Sequence, residues 1–116
     1  MPYTINGQAI DTGSIAEPQL KGGTMWVPLR SVIEALGGNA DWDADNRVAM
    51  AYSGSNIATL KIDDPTADIN GEKSELQEAP VLQDGETWVP VRFFNLLGYN
   101  MSVDPQNNSV EFSSAS

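Results

Sequence analysis

The sequence is organised around a motif that occurs twice, as GTMWVPLR at residues 23–30 and as GETWVPVR at residues 85–92. Pro28 and Pro90 lie 62 positions apart, and each copy is followed by a short apolar run that ends in glycine. A repeat of this period is typical of two supersecondary units that pack together. We therefore expect the two halves of the chain to share one architecture.

Each motif predicts a strand followed by a helix. In the first copy, residues 24–29 alternate between a face with Trp26 and Pro28 and a face of smaller apolar side chains, which is typical of a strand with one buried face. Proline cannot donate to a β-ladder, so this strand should lie at a sheet edge or end at Pro28. The apolar residues then fall at helical spacing until Gly37, which terminates the helix.

Turn signals delimit the remaining strands. Asn6-Gly7 and Asn70-Gly71 each separate strand-prone segments, and this dipeptide favours a tight hairpin because both turn positions need a positive φ. The pattern predicts an α+β fold of two ββαββ-like repeats, each a small antiparallel sheet wrapped around a short helix. The repeats should span residues 1–55 and 56–116 and form one compact domain. Because the chain starts within a strand-like segment, we expect it to be excised from a longer protein.

Charge narrows the range of partners. The chain carries 16 acidic and 6 basic residues, for a formal net charge of −10 at pH 7. Such a surface repels phosphate backbones and anionic lipid, so we expect neither nucleic acid nor membrane as a partner. No stretch approaches the roughly 20 apolar residues that a membrane span needs.

The composition also limits the catalytic groups and metal ligands that the chain can supply. The chain has no histidine and no cysteine, which removes imidazole bases, thiolate nucleophiles and the commonest metal ligands. Asp41, Asp43 and Asp45 alternate like the start of a calcium loop, but Asn46 and Tyr52 stand where that loop needs glycine and glutamate. We expect no catalytic residues, no metal site and no cofactor.

Aromatic residues are the first candidates for ligand binding. Trp26 and Trp88 occupy equivalent places, on the strand face opposite the expected core, where exposed rings would form a platform for sugars or a protein. The alternative is that both pack against loops or against the other repeat. Tyr52 and Tyr99, at strand ends, are weaker candidates.

Two arginines complete the candidate site. Arg30 and Arg92 begin the two predicted helices, where the helix dipole gives a cation no benefit. An ion pair with Asp43 in one repeat and with Asp104 in the other would explain them. Recognition of a carboxylate or phosphate on a ligand is the alternative.

Several segments resemble one known family. Ile5-Asn6-Gly7, Val27-Pro28-Leu29-Arg30, Glu34-Ala35-Leu36-Gly37 and Trp42-Asp43 resemble the N-terminal domain of copper amine oxidases, also called a stalk domain. The resemblance covers residues 3–112, with a looser second copy that has Val103-Asp104 in place of Trp-Asp. It implies an α+β unit appended to exported Gram-positive proteins and to wall hydrolases such as phage endolysins. It does not carry over copper chemistry, because histidines of another domain hold that metal.

Two function hypotheses remain after an independent enzyme is set aside. The first is a non-catalytic module, extracellular or at the cell wall, that binds wall glycan or peptide for an attached catalytic domain. The second is a structural stalk or dimerisation module with no glycan ligand, in which a second copy of the chain is the partner.

Overall fold

The computed structural model describes residues 3–9, 18–83, 85–104, 106 and 109–114. Along this part of the chain lie β1 (Tyr3–Ile5), β2 (Gln8–Ala9), β3 (Gln19–Lys21), β4 (Thr24–Pro28), α1 (Leu29–Ala35), β5 (Asn39–Asp43), β6 (Val48–Ser53), β7 (Asn56–Lys61), β8 (Thr66–Ile69), β9 (Glu72–Glu75), β10 (Val81–Gln83), β11 (Glu86–Pro90), α2 (Phe93–Leu96), β12 (Tyr99–Asp104) and β13 (Ser109–Ser114). No helix in these ranges is long and apolar enough to cross a membrane.

The strands form three sheets. The motif sheet contains both copies of the repeated motif, in the order β10-β11-β4-β3. A second sheet has the order β12-β13-β1-β2, and a third has the order β5-β6-β7-β8-β9. All pairings are antiparallel except that of β1 with β13, which is parallel.

Within the part of the chain that the structure describes, the fold is mostly β, with 57% of residues in strands and two short helices. We expected each repeat to wrap an antiparallel sheet of its own around its helix. The observed arrangement differs, because each sheet takes strands from both halves of the chain. The hairpin of β1 and β2 is too short to be stable alone, and it extends the hairpin of β12 and β13. Pairing between the halves also covers strand edges that would otherwise be open.

The two motifs pair with each other through a symmetric register. Val27 lies opposite Val89, Trp26 lies opposite Pro90, and Trp88 lies opposite Pro28. Equivalent residues thus exchange places across the β4–β11 pair, as a local twofold axis between the two valines requires. Both valines are fully buried, at 0% exposure.

The predicted turns and strand end are confirmed. Asn6 and Gly7 have φ values of 51° and 83°, Asn70 and Gly71 have 54° and 88°, and each pair connects two antiparallel strands. Strand β4 ends at Pro28, as a residue without an N–H donor requires. It is not an edge strand, since it lies between β3 and β11.

One cluster of buried side chains joins all three sheets and both helices. Helix α1 buries Leu29, Val32 and Ile33, and α2 buries Phe93 and Phe94. The ring of Phe94 also meets that of Phe112 edge to face, at a centroid distance of 5.2 Å. Helices this short are unstable alone, so burial of their apolar faces must hold them in place.

Truncating Val27 tests the twofold pairing. We expect Val27→Ala to lower the free energy of unfolding by about 1.5–3 kcal/mol, from lost burial and a cavity at the centre of the pair. Urea denaturation followed by circular dichroism measures the change. The exposed Ile57 provides the control, since Ile57→Ala should cost much less. Equal losses in the two variants would contradict a core centred on the valine pair.

Candidate functional site

Both motif tryptophans are buried. Trp26 is 7% exposed and Trp88 is 4% exposed, so the expectation that they form open platforms is wrong. In an antiparallel sheet, directly opposed residues lie on the same face. Trp26, Pro28, Trp88 and Pro90 therefore share the face of the motif sheet opposite Val27, and all four are buried there. Each strand of the central pair is thus covered on both faces.

The two indoles nevertheless line one concave space, which we call the Trp pocket. It has a volume of about 340 Å³, within the roughly 300–1,000 Å³ range of small-molecule sites. The edge strands β3 and β10 form its sides. The lining residues are Gln19, Lys21, Gly22, Trp26, Glu78, Val81, Gln83 and Trp88.

A hydrogen bond joins the two sides of the Trp pocket. The Lys21 Nζ donates to the Gln83 Oε1 at 2.9 Å, and these residues occupy equivalent positions in the two repeats. Since β3 and β10 are the outer strands of the motif sheet, the sheet must curl for them to meet. Among the described residues, the lining contains one cation, Lys21, and one anion, Glu78. The described lining is therefore formally neutral in a chain of net charge −10.

The two candidate tyrosines do not line the Trp pocket. The Tyr52 hydroxyl donates to the Met50 Sδ at 3.6 Å. The Tyr99 hydroxyl shares a hydrogen bond with the Ser53 Oγ, which links β12 to β6 and thus two different sheets. Both rings are half-buried. The contact of Tyr99 connects two sheets, whereas Tyr52 and Met50 lie on the same strand, β6.

The candidate arginines lie elsewhere on the surface. The Nε of Arg30 lies 3.4 Å from the Oε2 of Glu34, one helical turn away. The expected ion pair of Arg30 with Asp43 is absent among the described contacts, because Asp43 instead caps the turn that follows it. Arg92 is exposed and lines two shallow pockets near α2. Neither arginine contributes to the Trp pocket.

Asp43 organises the turn between β5 and β6. Its Oδ1 accepts from the backbone N–H groups of Asp45 at 3.1 Å and Asn46 at 3.3 Å. Its Oδ2 accepts from the Asn46 side-chain amide at 2.8 Å. The hydrogen bond from the Asn46 side chain, followed by that from its backbone, lowers the pKa of Asp43 below its ordinary value.

Sequence reasoning missed three residues of interest. Lys21 and Gln83 stand 62 positions apart just before the motif copies, and this equivalence was the available signal. Trp42 is 39% exposed, more than either other tryptophan. In the sequence it lies within a predicted strand, where it contributes only to the family resemblance.

The family follows from comparison of the whole chain with known protein families. Residues 4–112 match the copper amine oxidase N-terminal domain. The chain belongs to that family. The N-terminal domain of copper amine oxidases is non-catalytic and does not include the catalytic domain, which is consistent with the expectation of a non-enzyme.

A curated relative of this family member carries a different description. The chain is 32% identical over 93 residues to a protein of Brevibacillus choshinensis named "Protease inhibitor". The match covers 80% of this chain but 28% of the relative. This domain thus spans less than a third of that protein.

Copper does not fit the residues of this family member. The sequence offers no imidazole and no thiolate, the ligands that copper sites in proteins favour. In the described ranges no three acidic side chains gather closely enough to hold a metal ion. The family name therefore transfers no copper chemistry to this chain.

The tryptophans provide a test of burial against exposure. We expect Trp88→Ala to lower the free energy of unfolding by about 3–5 kcal/mol, as buried aromatic truncations do. Trp42→Ala should cost less than about 1 kcal/mol because much of that ring is already solvated. Urea denaturation of both variants measures the difference. Similar losses would contradict the assignment of Trp88 to the interior.

The turn at Asp43 makes a pH-dependent prediction. A carboxyl whose pKa is lowered by folding stabilises the protein above its unfolded pKa, and the contribution is lost as pH falls through the folded pKa. NMR titration of the Asp43 carboxyl should give a pKa below 3.8. Asn46→Ala should raise this pKa by removing the hydrogen bond from the Asn46 side-chain amide to the Asp43 Oδ2. A wild-type pKa at or above 3.8 would count against this capped turn.

Proposed function

We propose that this domain is a non-catalytic binding module that takes a neutral glycan or peptide segment of the bacterial cell wall into the Trp pocket. It would serve a secreted or phage-encoded wall hydrolase, outside the cell, by holding the attached catalytic domain at its substrate. The observation that carries the proposal is a neutral pocket that brings both repeated tryptophans together.

The lining suits an uncharged polar ligand. Indole surfaces pack against the apolar faces of sugar rings or against peptide side chains. The amides of Gln19 and Gln83 can both donate to and accept from hydroxyl or peptide groups. A chain of charge −10 is not attracted to the anionic polymers of a wall, so recognition must rest on shape and hydrogen bonding.

We also infer that the chain is a tandem of two ββαββ-like units that exchange their outer hairpins. The symmetric register of β4 with β11 supports this view. So does the match of β3 to β10, because Gln19 pairs with Trp26 as Val81 pairs with Trp88. On this view the Trp pocket is a shared product of both units and exists only when they are together.

A stalk or dimerisation module is the second candidate. Two observations favour it: both tryptophans are buried, as residues that serve packing would be, and the bridge between Lys21 and Gln83 closes part of the pocket mouth. The name of the Brevibacillus relative, "Protease inhibitor", favours a protein as the ligand class under this alternative.

Sedimentation with purified Gram-positive sacculi, before and after removal of secondary polymers, tests the first candidate. The probing variant is Gln19→Ala combined with Gln83→Ala, because truncating either buried tryptophan would destabilise the fold as well as alter the pocket. With two ligand hydrogen bonds lost at about 0.5–1.5 kcal/mol each, we expect affinity to fall by about tenfold. The control is Gln8→Ala, an exposed glutamine outside the pocket.

The outcomes separate the two candidates. Pelleting that is insensitive to salt, lost in the double variant and kept in Gln8→Ala supports wall binding through the Trp pocket. If wild-type protein does not pellet with any wall preparation, wall binding fails. A concentration-dependent dimer in analytical ultracentrifugation would then support the second candidate.

A further inference from the structure

A second concave surface lies away from the Trp pocket. It forms where β5 passes the start of α1 and the beginning of β11, and its volume is about 120 Å³. Leu29, Ala40 and Ala49 supply a buried apolar floor, while Trp42 stands 39% exposed beside them. We call this surface the Trp42 groove. It shares no lining residue with the Trp pocket.

The Trp42 groove has a counterpart in the other repeat. Equivalent positions there line a groove of their own, with Val91 for Leu29, Arg92 for Arg30 and Met101 for Ala40. At the place of Trp42 the counterpart has Val103, which is half-buried. Because valine packs at this position in the second repeat, the fold does not need a large exposed indole at position 42. Exposed aromatic side chains beside apolar recesses are typical of protein-binding sites.

Strand β5 also offers an unpaired edge. It is the outer strand of the five-stranded sheet, paired with β6 alone within the described ranges. Main-chain N–H and C=O groups along such an edge can accept an added strand. Trp42 lies near the end of β5, so a strand added at this edge would pass directly beside the groove.

Charge selects among the possible added strands. Asp41 and Glu86 lie at the groove and are exposed, and Asp43 follows on β5. The nearby cation, Arg30, already pairs with Glu34 at 3.4 Å. A second copy of this chain is disfavoured, because antiparallel pairing of β5 with itself about Asp41 would place that carboxylate opposite its own copy. A basic strand would meet opposite charge instead.

We propose that the edge of β5 and the Trp42 groove bind an extended, basic peptide segment of a partner protein by strand addition. A volume of about 120 Å³ accommodates one aliphatic side chain. That anchor enters the groove against Trp42, and lysine or arginine residues on either side of it lie near Asp41 and Glu86. This site is independent of wall binding, because it uses other residues and another class of ligand.

The test uses the full chain and a capped heptapeptide in which lysine alternates with valine. One comparison peptide has glutamate in place of lysine, and another has serine in place of valine. Titrations followed by ¹⁵N NMR locate binding through amide shifts. We expect shifts concentrated in Asn39–Asp43 and at the Trp42 indole, with affinity reduced at least tenfold for either comparison peptide.

Matched variants distinguish the groove from general attraction to an acidic protein. Trp42→Ala should weaken binding of the lysine–valine peptide at least about tenfold, while Val103→Ala in the counterpart groove should leave it unchanged. Asp41→Lys, at an exposed position, should weaken that peptide and strengthen the glutamate peptide. If Trp42→Ala proves unstable, the peptide affinities of Asp41→Lys still decide the test.

Several results would overturn the proposal. These are shifts spread over the whole acidic surface, equal affinity for the serine peptide, unchanged binding in Trp42→Ala, or no binding at millimolar peptide. A failure of wall sedimentation would leave this site untouched, and a failure here would leave the Trp pocket untouched, since neither set of variants alters the other surface.

Discussion

The antiparallel pairing of β4 with β11 is the constraint on which the rest of the structure depends. With Val27 opposite Val89, the two motif strands form the centre of a four-stranded sheet, and both faces of that centre need cover. The valine face is covered by the common core that contains both helices. The other face is covered by its own tryptophans and prolines, each indole lying opposite a proline of the other repeat. Burial of these large side chains contributes heavily to stability, and it needs both repeats at once.

This constraint changes the role of the tryptophans. A flat sheet would present Trp26 and Trp88 to solvent, but the curled sheet brings its outer strands close enough for Lys21 to reach Gln83. The indoles thereby become the inner wall of a pocket. The same curling places one cation and one anion at that pocket, so its local charge differs from the strongly acidic character of the whole chain. A neutral pocket in an acidic protein can select uncharged ligands by excluding anionic polymers at long range.

The repeated motif also places equivalent grooves in the two halves of the chain, and the two grooves of such a pair can differ in function. The grooves beside β5 and β12 arise from equivalent residues, yet one carries an exposed tryptophan and acidic neighbours while the other carries Val103. Packing demands on both positions are similar, because each lies on a strand following a helix. At this pair of positions the side chain is exposed in one repeat and half-buried in the other. The Trp pocket, by contrast, draws on both repeats.

The sequence by itself determined the repeated motif, the glycine turns, the strand end at Pro28 and the family, because each depends on local backbone chemistry or on residue identity at short range. Asn-Gly dipeptides favour positive φ in hairpin turns, and both residues of Asn6-Gly7 and of Asn70-Gly71 have positive φ. Only the tertiary structure decided that β1 pairs with β13, that Trp26 and Trp88 are buried together, and that Asp43 caps a turn and leaves Arg30 to Glu34. The β1–β13 pairing and the joint burial of the tryptophans depend on contacts between residues far apart in the chain. The Asp43 turn and the Arg30–Glu34 pair are local contacts that form in place of the expected long-range ion pair. Alternation of residue types along a strand distinguishes its two faces. It does not show whether other elements of the fold cover one face or both.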